Sequence, residues 1–278
     1  MHFVRVAILA AMCLAPVCAA KAQPPAVPLP HMRGTPVELA PDEKGPRRLI
    51  RFLTSDLYPP FQFLKTDQSP AGLNVDLARA LCTELDFPCT IQALPWDELL
   101  PALDSGRADA LIAGLRPTPE LAGKAELTRP YFRLPARFAA RTDAPPEISP
   151  AALAGRKVAV VQGSAHEAYL KAFFAEADIA SYPDADAARA ALKANEVEAV
   201  FGDGAGLSLW LGGTGSENCC AFAGGPYFES HFFGEGLVIA VRKGDVRLRQ
   251  DLDRALDAVE DKGVFADLYL LWFPTGIF

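Results

Sequence analysis

Asp109–Phe132 reads DALIAGLRPTPELAGKAELTRPYF, and its first half decides the fold. Ala110–Ala113 is a short apolar run of the kind that makes a buried strand, and it stops at Gly114. Thr118-Pro119-Glu120 then supplies an N-cap, a proline at the first helical position and an acid in the first turn. A strand that hands over to a helix through a glycine-bearing loop belongs to an α/β sheet. Small ligands bind such sheets outside the carboxyl ends of the strands, and backbone N–H groups at a helix start favour anionic groups.

A second copy of the pattern lies further on. Ala102–Gly114 is ALDSGRADALIAG and Ala191–Asp203 is ALKANEVEAVFGD. Each reads as a helix end, a residue suited to the left-handed conformation (Gly106, Asn195) and a buried strand. The strand-end loops offer Arg116 in one case and Asp203 in the other. Two such units predict two similar lobes with a cleft between facing loops.

Working outward, Leu49–Thr54 is a strand candidate, and Pro59-Pro60 forces a turn that carries Tyr58 and Phe61. Phe61 reads as structural, whereas Tyr58 suits either packing or a site. Asn74 is a candidate N-cap for a helix with Leu77, Leu81 and Leu85 on one face. Trp96, Leu99, Leu100 and Leu103 stripe a second helix, where Trp96 serves either the core or the cleft wall. Arg156–Gln162 is a strand ending at Gly163, and Ser164 caps a helix from Ala165, a third anion-friendly helix start. Gly234–Arg242 is a strand, and Asp245–Glu260 and Val264–Trp272 are helices.

The amino terminus reads as an address. Met1–Arg5 is basic, Val6–Ala20 is mostly apolar, and Ala20-Lys21-Ala22 has the small-x-small form of a cleavage site, so residues 1–22 are expected to be a signal peptide. A lipid anchor on Cys18 is the alternative. Residues 23–47, rich in Pro, Gly and charge, read as a flexible leader. Without residues 1–22 the chain has 25 basic and 34 acidic residues, a net charge of about −9, which argues against a nucleic-acid partner. In an exported protein Cys82 and Cys89 are expected to be bridged. Cys219-Cys220, in what reads as a surface loop, can bridge each other, pair with a partner or stay reduced. The four cysteines beyond residue 22, with His31, His166 and His231, make no metal-ligand spacing, so neither a metal nor a cofactor is expected.

Taken in order, YPPF (Tyr58–Phe61), GLNVDLARAL (Gly72–Leu81), PWDELLPALDSGRADALIAGL (Pro95–Leu115), TPE, TRPYF, VAVVQGS (Val158–Ser164), VEAVFGD (Val197–Asp203), GLVIAVRKGD (Gly236–Asp245) and GVFADLYLLWF resemble the family 3 extracellular solute-binding proteins, periplasmic receptors of ABC importers for polar amino acids. The resemblance implies an α/β fold of the two-lobed periplasmic binding protein type (type II), with two crossing strands as a hinge. Lobe one would be 48–137 with 231–278, and lobe two 138–230. It implies a periplasmic, monomeric receptor, not an enzyme, that takes a small polar ligand to a membrane permease. Tyr58 and Trp96 would pack on the ligand side chain. Ala113, Gly114 and Arg116, with Ser164 and Ala165 opposite, would meet its carboxylate, and Asp203 its ammonium. Leu121 departs from the pattern, because family members carry there an arginine that clamps the carboxylate. A dehydratase on the same scaffold is the alternative, but such enzymes use a glutamate where this chain has Gly206. A periplasmic accessory role in a dehydrogenase or sensing system is a further one.

Overall fold

The computed structural model describes residues 48–273 and 275–278, so the expected signal peptide, leader and Cys18 anchor lie outside the described residues. The first unit runs β1 (Ile50–Ser55), a small antiparallel sheet of β2 (Leu57–Tyr58), β3 (Gln62–Leu64) and β4 (Pro70–Ala71), then α1 (Leu73–Leu85), β5 (Cys89–Leu94), α2 (Trp96–Asp104), β6 (Ala110–Leu115), α3 (Pro119–Lys124) and β7 (Ala125–Leu127). The second runs β8 (Ala136–Arg141), β9 (Lys157–Val161), α4 (Ala165–Phe173), β10 (Asp178–Tyr182), α5 (Ala185–Lys193), β11 (Ala199–Asp203), α6 (Gly204–Gly212), β12 (Cys220–Tyr227) and α7 (Ser230–Phe233). The chain then returns to the first unit with β13 (Val238–Arg242), α8 (Val246–Asp261) and α9 (Val264–Trp272).

The two main sheets share one plan. The first has the order β5-β1-β6-β13-β7 and the second β10-β9-β11-β8-β12. In each, three parallel strands are followed by one antiparallel strand and then by one that again runs with the first three. Of the three parallel strands in each sheet, the first in the chain sits between the second and the third, so the winding reverses there. The crevice at the carboxyl ends of that pair is where an open α/β sheet binds ligands. In the first sheet the pair is β1 and β6; in the second it is β9 and β11.

Apolar side chains cover both faces of each sheet, as parallel strands require. Ile50, Phe52 and Ile112 face α1 and α8 on one side of the first sheet, while Leu53, Leu111 and Ala113 face α2 and Leu121 on the other. Phe138, Val160 and Phe201 pack against α4, and Ala139, Ala159 and Val200 against α5 and α6. The internal repeat is α2–β6 and α5–β11, with Gly106 (φ 75°) and Asn195 (φ 59°) left-handed at the two turns.

The chain crosses between units before β8 and returns after β12. These strands pair antiparallel, and Leu237 donates its N–H to the Phe132 carbonyl at 2.7 Å, so the crossings run side by side. Cys82 and Cys89 are bridged (Cα–Cα 6.2 Å), tying the end of α1 to β5. Cys219 and Cys220 bridge each other; Cys219 ends the loop half-buried, but Cys220 opens β12 as a buried residue and is not in a surface loop. Asn74 is no cap either. Gly72 precedes α1, and Asn74 is wholly buried in its first turn.

Candidate functional site

The crevice between β1 and β6 is an open pocket of about 330 Å³, lined by Ser55, Asp56, Leu57, Tyr58, Trp96, Ala113 and Gly114. Its floor is held from below. The Gln62 side-chain amide donates to Ser55 Oγ (2.7 Å) and to the Ala113 carbonyl (3.0 Å). Asn74 donates to Gln62 Oε1 (2.7 Å), and the Tyr131 hydroxyl donates to Asn74 Oδ1 (2.8 Å). All four hydrogen bonds are buried, so they fix the rim in one geometry.

Tyr58 lies over Gly114 and stacks on Phe61, ring centroids 5.0 Å apart. A Cβ on Gly114 would stand 2.7 Å from the Tyr58 ring, and its φ of +72° disfavours any other residue, so glycine here serves both ring and loop. Phe61 is fully buried, as its structural reading requires. Trp96 begins α2, and its side chain is 57% exposed at the pocket edge, on the cleft wall rather than in the core. Leu121 is buried among Leu99, Leu103 and Leu115, so α3 brings no cation to the pocket from that position.

Arg116 leaves the end of β6 exposed to solvent, its Cδ close to Gly234. Among the described residues it makes no ion pair. Asp203 ends β11 and caps α6, accepting the Gly206 N–H at 2.7 Å through Oδ1. The two charges act on the same neighbours. Burial raises the Tyr58 hydroxyl well above its ordinary value, Asp203 adds to that and Arg116 opposes it. Burial depresses the His166 imidazole, while Asp203 raises it and Arg116 lowers it. Tyr58, Arg116, His166 and Asp203 thus form one electrostatic neighbourhood drawn from both units.

Ser164 and Ala165 are placed at the start of α4 as expected, but that start already holds an anion of its own. Ser164 Oγ accepts from Glu167 N (3.1 Å), and the Glu167 carboxylate accepts from Gly163 N–H (2.7 Å). This resembles a capping box, with the return bond made to the residue before the cap rather than to the cap itself. Hydrogen bonds from Ser181, Lys171 and Gly163 lower Glu167 to about 2. Ser164 Oγ also donates to the Val161 carbonyl (2.6 Å), so its hydroxyl serves the helix.

Two residues of the site escape sequence reasoning. Asp56 lines the pocket beside Leu57, and its adjacency to Tyr58 was the available signal. His166 sits between Phe201 and Phe233, stacked on Phe233 at 5.2 Å. Its position two residues after Ser164 marked it, but the partners that give it meaning are remote in sequence.

Residues 50–275 match the family model for bacterial extracellular solute-binding proteins, family 3. The putative ABC transporter arginine-binding protein 2 of Escherichia coli is 34% identical over 81% of this chain and 90% of its own length. The L-arginine-binding protein of Pseudomonas aeruginosa is 31% identical over 82% and 89%. Among solved structures, an ancestral arginine-binding protein bound to arginine is 28% identical with a TM-score of 0.52, covering 82% of this chain and 99% of its own. The second substrate-binding domain of Lactococcus lactis GlnP, in an open conformation, is 18% identical with a TM-score of 0.72, covering 84% and 98%. With two lobes, two crossings and a crevice at each switch point, the chain belongs to the bacterial extracellular solute-binding proteins, family 3.

Proposed function

We propose that this protein is an exported, monomeric receptor that captures a cationic amino acid between its lobes and presents it to the membrane permease of an ABC importer. Lobe one is residues 48–135 with 234–278, and lobe two is 136–233. These bounds differ from the expected 137/138 and 230/231, and the packing of α7 on α4, with Phe233 in the core of the second sheet, supports the second shift. Residues 1–22 direct export to the periplasm.

The observation that carries the reading is the charge set around the β1–β6 pocket. Asp56 and Asp203 are acidic and Arg116 is basic, a surplus of one negative charge, while Tyr58 and Trp96 offer ring faces. An amino acid with a cationic side chain brings the complementary surplus of one positive charge. Its ammonium pairs with Asp203, its carboxylate with Arg116 in place of the clamp that Leu121 replaces, and its side-chain cation lies between the two rings toward Asp56. The arginine-binding names of the relatives support this choice of class.

The pocket is lined by lobe one alone, and the greater likeness to an open relative than to an arginine-bound one agrees with an open arrangement. Ligand bound to both lobes then stabilises the closed form by its differential contacts. Calorimetry with L-arginine, L-lysine, L-citrulline and L-glutamate tests the class. Arginine or lysine should bind, citrulline (the uncharged arginine isostere) should bind about tenfold more weakly or worse, and glutamate should not bind. Glutamate binding tighter than arginine would assign Arg116 and His166 to an acidic ligand and reject the cationic class.

A further inference from the structure

Behind the hinge, the chain after α9 leaves lobe one and touches elements of the other lobe. The Thr275 carbonyl accepts from Ser208 Oγ of α6 at 2.5 Å. The Ile277 carbonyl accepts from Arg137 Nη1 of β8 at 2.8 Å, and its N–H donates to the Tyr269 hydroxyl at 2.7 Å. The Phe278 ring stacks on Phe228, just past β12, at 5.9 Å and lies 5.3 Å from Tyr269.

Arg137 is the hub of these contacts. It is 6% exposed, it donates through Nη2 to the Gly224 carbonyl of β12 (3.0 Å), and its guanidinium lies 4.3 Å from the centre of the Phe222 ring. No carboxylate pairs with it among the described residues, so backbone carbonyls and an aromatic face hold the buried cation. One guanidinium therefore ties both crossings to the segment 275–278.

The same contacts reach the site. α6 begins at Gly204, where a Cβ would stand 2.7 Å from the Pro135 carbonyl, and its N-cap is Asp203. Ser208 lies five residues along that helix, about 7.5 Å from Asp203 along its axis. Ala205 of α6 already packs in the core of lobe one. Any rotation that swings Asp203 toward the β1–β6 pocket moves Ser208 as well, because the helix is rigid over that length. The 2.5 Å bond to Thr275 belongs to the present lobe angle.

We propose that residues 275–278, through Ser208 and Arg137, form a strap that holds the lobes open and so sets the affinity of the receptor without touching ligand. This rests on the open arrangement and closing motion of the functional reading, but not on the identity of the ligand. A receptor whose closed form is scarce binds more weakly by the fraction closed. Loosening the strap therefore raises the closed population and tightens binding.

Single-molecule energy transfer between a dye on each lobe, without ligand, tests this in Ser208→Ala and Arg137→Met, with L-arginine calorimetry on the same proteins. The expected result is a closed population raised about three- to tenfold and an L-arginine dissociation constant lowered by the same factor. Ser208→Ala removes one hydroxyl and keeps the test valid if Arg137→Met does not fold. An unchanged or smaller closed population in Ser208→Ala overturns the strap. A raised closed population with no arginine binding to any of the proteins upholds the strap and rejects the cationic-ligand reading instead.

Discussion

In lobe one the loops that face the cleft rest on a buried chain of side chains, Ser55, Gln62, Asn74 and Tyr131, that comes up from beneath the sheet edge. In lobe two the equivalent loops are held by their own helices: Ser164 and Glu167 cap α4, and Asp203 caps α6. The strand order is the same and the solution differs. A loop fixed from below leaves a standing pocket with rings on its walls, whereas a loop fixed by capping uses the groups that a helix start would otherwise offer to an anion. Lobe one thus reads as the platform. In the proposed reading lobe two contributes a charge, Asp203, and a ring, His166.

Asp203 is where this contrast should break most sharply. Asparagine is as good an N-cap as aspartate, so Asp203→Asn keeps α6 capped and removes only the charge. L-arginine binding should weaken by about 2–5 kcal/mol, the range for removing one partner of a buried charge pair, while the melting temperature stays close to that of the parent. A variant that melts much lower but binds as before would make Asp203 a cap and nothing more.

Arg116 is the corresponding charge on the platform. It is exposed here and becomes buried only if the lobes close, so Arg116→Ala should cost about 1.5–3 kcal/mol of L-arginine binding, as for a hydrogen bond to a charged group. Calorimetry that finds no change would leave the ligand carboxylate to other groups.

Gln62→Leu attacks the platform itself. It leaves the Ala113 carbonyl, the Ser55 hydroxyl and the Asn74 amide without a buried partner. Unfolding in urea should show a loss of about 1–3 kcal/mol, and ligand affinity should fall with it although residue 62 does not line the pocket. Affinity that survives intact would mean that the network serves stability alone.

The smallest effect belongs to the cap of lobe two. Glu167 is lowered to about 2 by Ser181, Lys171 and Gly163. A depressed carboxylate stabilises the fold fully above its unfolded value of about 4.3, and that stabilisation fades as the pH falls toward 2. Thermal melts of Glu167→Gln should therefore lie below the parent at pH 6, and the gap should narrow as the pH falls to 3 and close only toward pH 2. A gap as wide at pH 3 as at pH 6 would point to packing rather than charge.

Much of this was legible in the residues. The α2–β6 and α5–β11 repeat carried the two-lobe plan, because helix ends, left-handed turns and buried strands depend on local chemistry. Gly114 at a strand end was legible for the same reason, while Trp96 was open between core and cleft wall until the structure put it at the pocket edge. Asn74 was misread as a cap because its real partners, Gln62 and Tyr131, lie 12 and 57 residues away. Cys220 was misread as surface because its polar neighbours hide the strand that it begins. Ser164 looked ready for an anion because the reach of the Glu167 side chain back to Gly163 is a matter of rotamer, not of spacing. Leu121 marked a lost clamp in the sequence, and the structure adds that its side chain belongs to the core.

In the proposed receptor a cationic amino acid draws two preformed lobes together. Small-angle scattering with and without saturating L-arginine tests it most directly. The radius of gyration should fall with arginine and stay unchanged with glutamate. Calorimetrically tight arginine binding with an unchanged radius would contradict it.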